Sequence, residues 1–200
     1  GGFLRDFFLG MKKKDFDFAV ECNALEVART FSKTIKGAFV LLDKERGCAR
    51  IAKKIKGDLY TFDFADFRSK TFLQDLAHRD FTINTLSLDI SGINESTEIA
   101  QALIDAKKGM SDLRAKRIKL VSAQAFGEDP LRMMRAFSLK AVLGFKIEAK
   151  TFARIRRDKD LINRVSYERI REELFKILET DDAASILKLM DRAGLLGLII

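Results

Sequence analysis

The chain has 200 residues, 47% hydrophobic and 33% charged, so it can bury a core and is too apolar to be disordered. A net charge of +8 favours a polyanionic partner, nucleic acid before others. Two cysteines fit neither a zinc spacing nor a disulfide framework, and no apolar run reaches transmembrane length; we therefore expect no membrane partner and a reducing, cytoplasmic compartment.

Both ends of the sequence lead us to expect a longer protein. The chain opens on Gly1 without an initiator methionine and closes inside the apolar run GLLGLII. We expect an N-terminal strand and C-terminal helices beyond these ends.

The first 122 residues have a mixed α/β pattern. A short helix is predicted for FLRDFFLG, and DFDFAV alternates with the period of a strand. Asn23, with Glu26 three residues later, predicts a capping box for a helix that extends to about residue 33. Further strands are predicted for residues 37–43, 48–55, 58–67, 84–90 and 117–122.

From residue 123 the pattern becomes helical. The segment EDPLRMMRAFSLKAVLG predicts a helix with Pro130 in its first turn and Gly144 at its end. Two more helices are predicted for residues 166–180 and 183–194. We therefore predict two domains, residues 1–122 and 123–200.

Two carboxylates, Asp15 and Asp17, lie on the same face of the first predicted strand, with phenylalanines on the other face. Adjacent carboxylates make each other harder to ionise, and a divalent cation removes that cost. Oxygen ligands suit Mg²⁺, which keeps its other positions for water and substrate phosphates. A solvated strand face beside the lysines at 12–14 is the alternative that this pattern leaves open.

Two other features are typical of a phosphate-transfer site. Gly1 and Gly2 precede a predicted helix, whose first N–H groups are suited to phosphate oxygens. Asp63 projects from a second predicted strand, where Phe62 and Phe64 point to the opposite face. Taken singly, Asp63 is equally compatible with an exposed strand residue.

Five blocks, in this order, resemble class II tRNA nucleotidyltransferases and bacterial poly(A) polymerases, within the DNA polymerase β-like nucleotidyltransferase superfamily. They are GGFLRDFFLGMKKKDFDFAV, DFADFR, HRDFTINTL, EDPLRMMRA and SYERIREELFKIL. The resemblance extends from Gly1 to about Leu178. It implies an α+β fold: a nucleotidyltransferase head with a mixed, mostly antiparallel β-sheet flanked by helices, followed by an all-helical neck domain.

The resemblance also implies roles for individual residues. Asp15 and Asp17 would hold two Mg²⁺ ions, and Asp63 would help to ready the primer hydroxyl. The implied nucleotide-binding residues are Gly1 and Gly2 at the triphosphate, Arg79 and Asp80 at the ribose, Asp129 and Arg132 at the base, and Arg5, Asn84 and Arg135.

The pair Asp129 and Arg132 also has a chemical logic of its own. Residues three apart share a helix face, a carboxylate accepts from an exocyclic amine, and a guanidinium donates to ring acceptors. Cytosine and adenine present that pattern, whereas uracil and guanine present the opposite one. Asp129 before Pro130 is also a standard helix N-cap, and Arg135 is equally compatible with an ion pair.

The sequence departs from the family pattern at three places. His78 stands where the family has an arginine, and its role stays open. Thr85 replaces an alanine, and LIDAKKGMSDL lacks the Pro-Phe-Gly of the family. None of these departures affects the expected metal ligands.

The resemblance implies template-independent addition of C and A from CTP and ATP to the 3′ end of tRNA. A poly(A) polymerase, or an enzyme that adds only CC or only A, remains an alternative. A non-catalytic RNA-binding module is a third, but it predicts loss of a carboxylate and all three are present. A P-loop NTPase is disfavoured because GxxxxGK[ST] is missing. The sequence leaves the oligomeric state open.

Overall fold

The computed structural model describes residues 1–91, 93, 98, 99 and 101–200. The chain folds into two compact units, residues 1–77 with 86–104, and residues 78–85 with 105–200. The domain boundary near residue 122 stays a prediction. Within the described ranges, every helix is too short or too polar to span a bilayer.

The first unit is built on a four-stranded sheet. Its elements are α1 Gly2–Phe8, β1 Asp15–Val20, α2 Ala24–Ile35, β2 Ala38–Asp43, β3 Cys48–Ile55, β4 Asp58–Asp66, α3 Phe72–Asp75, β5 Ser87–Leu88 and β6 Leu103–Ile104. The strand order is β1-β4-β3-β2, with β1 parallel to β4 and the other neighbours antiparallel. The mixed, mostly antiparallel sheet of the expected α+β fold is therefore confirmed.

One face of this sheet packs on α2 through the aromatic residues of β1 and β4. The rings of Phe16 and Phe62 lie 5.1 Å apart between centroids, and those of Phe18 and Phe64 lie 4.8 Å apart. The buried core under them consists of Ala24, Ala28, Ala49, Ile51 and Phe64. Because side chains alternate along a strand, the acidic residues between the phenylalanines point to the opposite face.

The predicted capping box at Asn23 is wrong, although α2 begins at the expected place. Asn23 has a φ of 60° and makes no side-chain cap. The Ala24 N–H instead donates to Asp66 Oδ1 at 2.8 Å. Asp66 ends β4 and is the register partner of Val20 at the end of β1, so its carboxylate reaches the helix start from 42 residues away in sequence.

The second unit is mostly helical. Its elements are α4 Gly109–Arg114, β7 Arg117–Ile118, α5 Ala125–Glu128, α6 Arg132–Leu143, β8 Lys146–Ile147, α7 Ala149–Asp158, α8 Tyr167–Leu178 and α9 Ala183–Arg192. The 3₁₀ segments of the described chain are Leu76–His78, Thr82–Asn84, Lys159–Arg164 and Leu196–Leu198. Within this unit, helix α6 packs against both α8 and α9.

One short strand interrupts the stretch that was expected to be all helical. Gly144, with a φ of 68°, ends α6 as predicted. The chain then extends for two residues, and β8 pairs in parallel with β7 before α7 begins. Two residues are too few to produce a periodic pattern, so this strand could not be predicted from the sequence.

Candidate active site

A row of side chains crosses the open face of the sheet, the face away from α2. Asp17 is the register partner of Asp63, Asp63 of Arg50, and Arg50 of Val40, one residue from each strand. Asp15 lies two residues before Asp17 and shares its face. The structure therefore brings the three predicted carboxylates to one face of two adjacent strands.

The glycine pair lies beside this row. A Cβ atom placed on Gly1 would be 3.4 Å from Asp17 Oδ2, and Gly2 is the first residue of α1. Helix α1 is anchored on β1 by Phe3, whose ring centroid lies 4.4 Å from that of Phe16. The start of α1 is thereby held at the Asp17 carboxylate.

Arg5 is oriented by the acid that follows it. Its Nε donates to Oδ1 of the buried Asp6 at 2.7 Å, and only 11% of the Arg5 side chain is exposed. Arg5 and Asp6, the Arg-Asp pair of the first sequence block, thus contact each other within α1, and this contact orients the Arg5 side chain.

The two acids of β1 are exposed, and one of them is held by a neighbouring strand. Thr61 Oγ1 on β4 donates to Asp15 Oδ1 at 2.5 Å. Asp15 and Asp17 both lie on the solvent-accessible side of the strand, between half-buried phenylalanines. Both carboxylates are therefore accessible to ligands from solvent.

Arg50, which the sequence did not single out, binds the third carboxylate with two parallel hydrogen bonds. Its Nε donates to Asp63 Oδ1 and its Nη2 to Asp63 Oδ2, each at 2.7 Å. The hydrogen bond to Asp63 is the main reason why the pKa of Arg50 is raised, against the effect of burial, and the charges of Asp63, Asp15 and Asp17 add to it. All three acids therefore stabilise the charged form of Arg50.

The donor set fits a divalent ion that takes part of its ligands from outside the protein. In the described part of the chain, no group of three His, Cys, Asp or Glu side chains is placed to hold an ion. Two exposed carboxylates on one strand face are nevertheless the kind of partial oxygen site that Mg²⁺ occupies together with water and substrate phosphates. Asp15 and Asp17 are the residues that would hold it.

In the second unit, the predicted nucleotide-binding residue Asp80 contacts two others, Asn84 and Arg135. Asp80 is 5% exposed, and its Oδ1 accepts hydrogen bonds from the Phe81 N–H at 2.7 Å and from Asn84 Nδ2 at 2.9 Å. Its buried Oδ2 has no hydrogen-bond donor in the described structure, although Arg135 Nη1 lies 3.3 Å away as an ion-pair partner. One acceptor oxygen is therefore left for a further donor.

Backbone pairing holds the segment that carries Asp80. The Val121 N–H donates to the Asp80 carbonyl at 3.1 Å, and the Thr82 N–H donates to the Lys119 carbonyl at 2.9 Å. Thr82 Oγ1 also donates to Asp112 Oδ2 at 2.6 Å. Arg79, half-buried, lies directly before Asp80 in this segment.

Asp129 accepts a hydrogen bond in the turn before α6 and has a second partner that the sequence did not reveal. Its Oδ1 accepts from the N–H of Leu131, the residue before α6, at 3.2 Å, so Asp129 itself is not the N-cap residue that was expected. Its Oδ2 accepts from Arg169 Nη2 on α8 at 2.9 Å. Arg169 lies in the fifth sequence block, and only the packing of α6 against α8 shows which residue it faces.

Arg132 binds protein acceptors and is 5% exposed. Its Nη1 donates to the Ala125 carbonyl at 3.0 Å and to Glu128 Oε2 at 3.2 Å, and its Nη2 donates to the His78 carbonyl. Glu128 Oε1 lies 3.0 Å from His78 Nδ1, which gives this histidine a contact. Asp129 and Arg132 thus both lie near the start of α6, but Asp129 binds Arg169 whereas Arg132 binds Glu128 and two backbone carbonyls.

Comparisons with known proteins agree with this arrangement. The profile of the family described as Poly A polymerase head domain matches residues 1–119, and that described as probable RNA and SrmB-binding site of polymerase A matches residues 144–200. The chain is 38% identical, over its full length, to 44% of a CC-adding tRNA nucleotidyltransferase of Geobacter sulfurreducens. The chain thus spans about half the length of the curated relatives it matches.

Solved structures are similar in fold as well as in sequence. The Thermotoga maritima CCA-adding enzyme complexed with tRNA is 32% identical with a TM-score of 0.83, over 98% of this chain and 46% of that one. A tRNA nucleotidyltransferase complexed with a primer tRNA and an incoming ATP analog is 30% identical with a TM-score of 0.83, over 100% of this chain and 58% of that one.

Proposed function

Because the chain belongs to the poly(A) polymerase head-domain family, we propose that it carries the catalytic part of a tRNA nucleotidyltransferase. The reaction is template-independent addition of C and A, from CTP and ATP, to the 3′ end of tRNA. The observation that carries this proposal is the shared face of Asp15, Asp17 and Asp63, with Gly1 beside Asp17. The names of the relatives support tRNA as the acceptor.

The family implies a divalent metal ion, and we assign it to Mg²⁺ held by Asp15 and Asp17. When bound, the metal neutralises charge on the attacking and leaving oxygens of an in-line displacement. The protein's own contribution is mainly to position the reacting groups. Backbone N–H groups at Gly1 and Gly2, at the start of α1, bind the triphosphate. Asp63 accepts a hydrogen bond from the primer 3′-hydroxyl.

The second unit supplies nucleotide contacts in this proposal. The buried Oδ2 of Asp80 accepts a hydrogen bond from a ribose hydroxyl, which would satisfy an oxygen that lacks a donor within the described chain. Arg79 and Asn84 flank that contact, and Arg135 balances the charge of Asp80. A nucleotide without that hydroxyl would leave the buried oxygen without a hydrogen-bond donor, which favours ribonucleotides.

Base selection is assigned to Asp129 and Arg132 at the start of α6. A guanidinium carries five N–H donors, so the three protein contacts of Arg132 leave donors for a base. Each carboxylate oxygen has a second lone pair, so Asp129 can accept from an exocyclic amine while it remains bound to Arg169. Cytosine and adenine match this pair of donor and acceptor.

An enzyme that adds only the two C residues is the second candidate. It is favoured by the 38% identity to a CC-adding tRNA nucleotidyltransferase over the full length of this chain. Both candidates use the same carboxylates and differ in the last nucleotide added. For both, we propose the cytoplasm as the compartment, in keeping with two cysteines that are free thiols in the structure.

The test uses the complete protein that carries this chain and tRNAs that end before the tail, after one C, and after two Cs. Each tRNA is incubated with Mg²⁺ and one labelled nucleotide at a time. We expect CTP to label the first two tRNAs and ATP the third. Labelling by CTP without labelling by ATP would select the CC-adding candidate, and no labelling of any tRNA would reject the proposal.

A further inference from the structure

We propose that Arg50 is a positioning residue for this transfer reaction: its guanidinium fixes the Asp63 carboxylate for the primer hydroxyl. The inference rests on the proposed function, which it deepens by assigning a role to a residue outside the family blocks quoted above. It follows from the register of β3 and β4 and from the contacts of a single side chain.

The geometry of the contact restricts Asp63 strongly. Two parallel N–H···O bonds of 2.7 Å bind both carboxylate oxygens, so the plane and the rotation of the Asp63 carboxylate are set by Arg50. The two residues are direct partners across the antiparallel pair of β3 and β4, which places their side chains on the same face. A single ammonium group could not impose this orientation.

The contact leaves Asp63 able to act on a substrate. An ionised carboxylate has about four lone-pair sites, and Arg50 occupies one on each oxygen. The side chain of Asp63 is 30% exposed, so its remaining sites are accessible to a hydroxyl group. Asp63 can therefore accept a hydrogen bond from the primer without releasing the arginine.

The charge balance of the row separates the role of Asp63 from that of Asp15. Arg50 neutralises Asp63 within the sheet, whereas Asp15 is held by the neutral hydroxyl of Thr61. A carboxylate that is held by a guanidinium attracts a divalent ion less strongly than one that is held by a neutral hydroxyl. The contacts of these two acids therefore assign orientation by arginine to Asp63 and not to Asp15.

The experiment compares Arg50→Met and Arg50→Lys with the unchanged complete protein, in nucleotide addition at saturating CTP, ATP and Mg²⁺. Loss of a group that orients a functional residue typically lowers activity by about 10- to 100-fold. We expect such a fall in kcat for Arg50→Met, a KM for CTP within about twofold of normal, and an intermediate kcat for Arg50→Lys. Arg46→Met is the matched control, since that side chain is 83% exposed on the turn before β3.

A second comparison tests whether Arg50 acts through Asp63. In an Asp63→Asn background, we expect Arg50→Met to cause less than about a twofold further loss, because the effects of coupled residues do not add. Multiplying effects in the double variant, or an unchanged kcat in Arg50→Met, would overturn the inference while the unchanged protein remains active. Thermal unfolding and CTP binding identify a variant that has lost its fold, in which case Arg50→Lys decides alone. An inactive unchanged protein would instead refute the proposed function and with it this assignment.

Discussion

The shared face of Asp15 and Asp17 could be predicted from the residues next to them in sequence, but their surroundings could not. The alternation of Asp and Phe is a local property of one strand, so their shared face follows directly from the sequence. The exposure of both acids, and the placement of Gly1 beside Asp17, required the structure. Their roles as metal ligands stay a proposal that substitution can test.

Replacing Asp17 by alanine should abolish nucleotide addition and leave the fold intact. We expect activity to fall by about a thousandfold or more, because several kcal/mol of charge stabilisation depends on the metal. Stability should change by less than about 0.5 kcal/mol, since Asp17 is exposed. Incorporation of labelled CTP and thermal unfolding measure the two effects. Asp58→Ala, which removes an exposed acid paired with Lys14 at 2.7 Å on the same sheet, should keep near-normal activity.

Replacing Asp129 by alanine should blur base choice more than it weakens triphosphate binding. Removal of one hydrogen-bonding partner costs about 1–3 kcal/mol when the other group is left buried, so the preference for CTP over UTP should fall about 5- to 150-fold. The measurement is kcat/KM for each nucleotide. Asp129→Ser retains a side-chain acceptor for the start of α6. If Ala and Ser variants both discriminate as the unchanged protein does, Asp129 does not select the base.

At the scale of elements, local patterns predicted the strands of the four-stranded sheet, whereas the pairing of those strands was not predicted. The segments CARIAKKI and DFDFAV correspond in full to β3 and β1, because alternation and turn residues are local signals. Arg50 was overlooked because its partner depends on the register of β3 against β4. Asp66 was overlooked as the cap of α2 for the same reason, and Asn23 was preferred because it is adjacent in sequence.

The cap of α2 can be tested by stability. Asp66→Ala removes the acceptor for the Ala24 N–H and should cost about 1 kcal/mol, measured as a lower free energy of unfolding in urea. Asn23→Gly should not destabilise the protein in the same way, because Asn23 has a φ of 60° and makes no side-chain cap. Equal losses in both variants would show that Asn23 contributes to the cap in solution.

Gly47, in the turn before β3, lies against the Asp66 carboxylate that caps α2. Its φ is 61°, and a Cβ atom placed there would lie 2.0 Å from Asp66 Oδ2, so Gly47→Ala should both strain the backbone and displace the capping carboxylate. The loss should be smaller when Asp66 is already alanine, because the clash has then been removed. Purely additive losses would indicate that only the backbone conformation matters.

At the scale of the whole molecule, the relevant quantity is the net charge of +8. It is the difference between 37 basic and 29 acidic side chains, and some of the basic ones are paired locally with acids, as on α7, where Arg154 and Arg157 both bind Asp158. Burial alone would raise the pKa of Asp158, and the hydrogen bonds from Arg157 and Arg154 lower it overall. Arginines that already hold a carboxylate in this way have less to gain from a phosphate, so the count of basic residues overstates the surface available to RNA.

Arg156 and Arg157 are the exposed arginines of α7, and Arg157 binds Asp158, so Arg156 is the residue with which to test whether this helix contacts RNA or is an ordinary solvated face. If it contacts a tRNA phosphate, Arg156→Gln should weaken binding and reduce the slope of log K against log salt by about one, since one fewer counterion is released. Affinities for tRNA at several salt concentrations, with Arg46→Gln as the control, give these slopes. Because electrostatic attraction without a specific contact changes little when one exposed charge among many is removed, an unchanged slope for Arg156→Gln would identify α7 as an ordinary solvated helix. The positive charge that meets the RNA would then lie elsewhere on the protein.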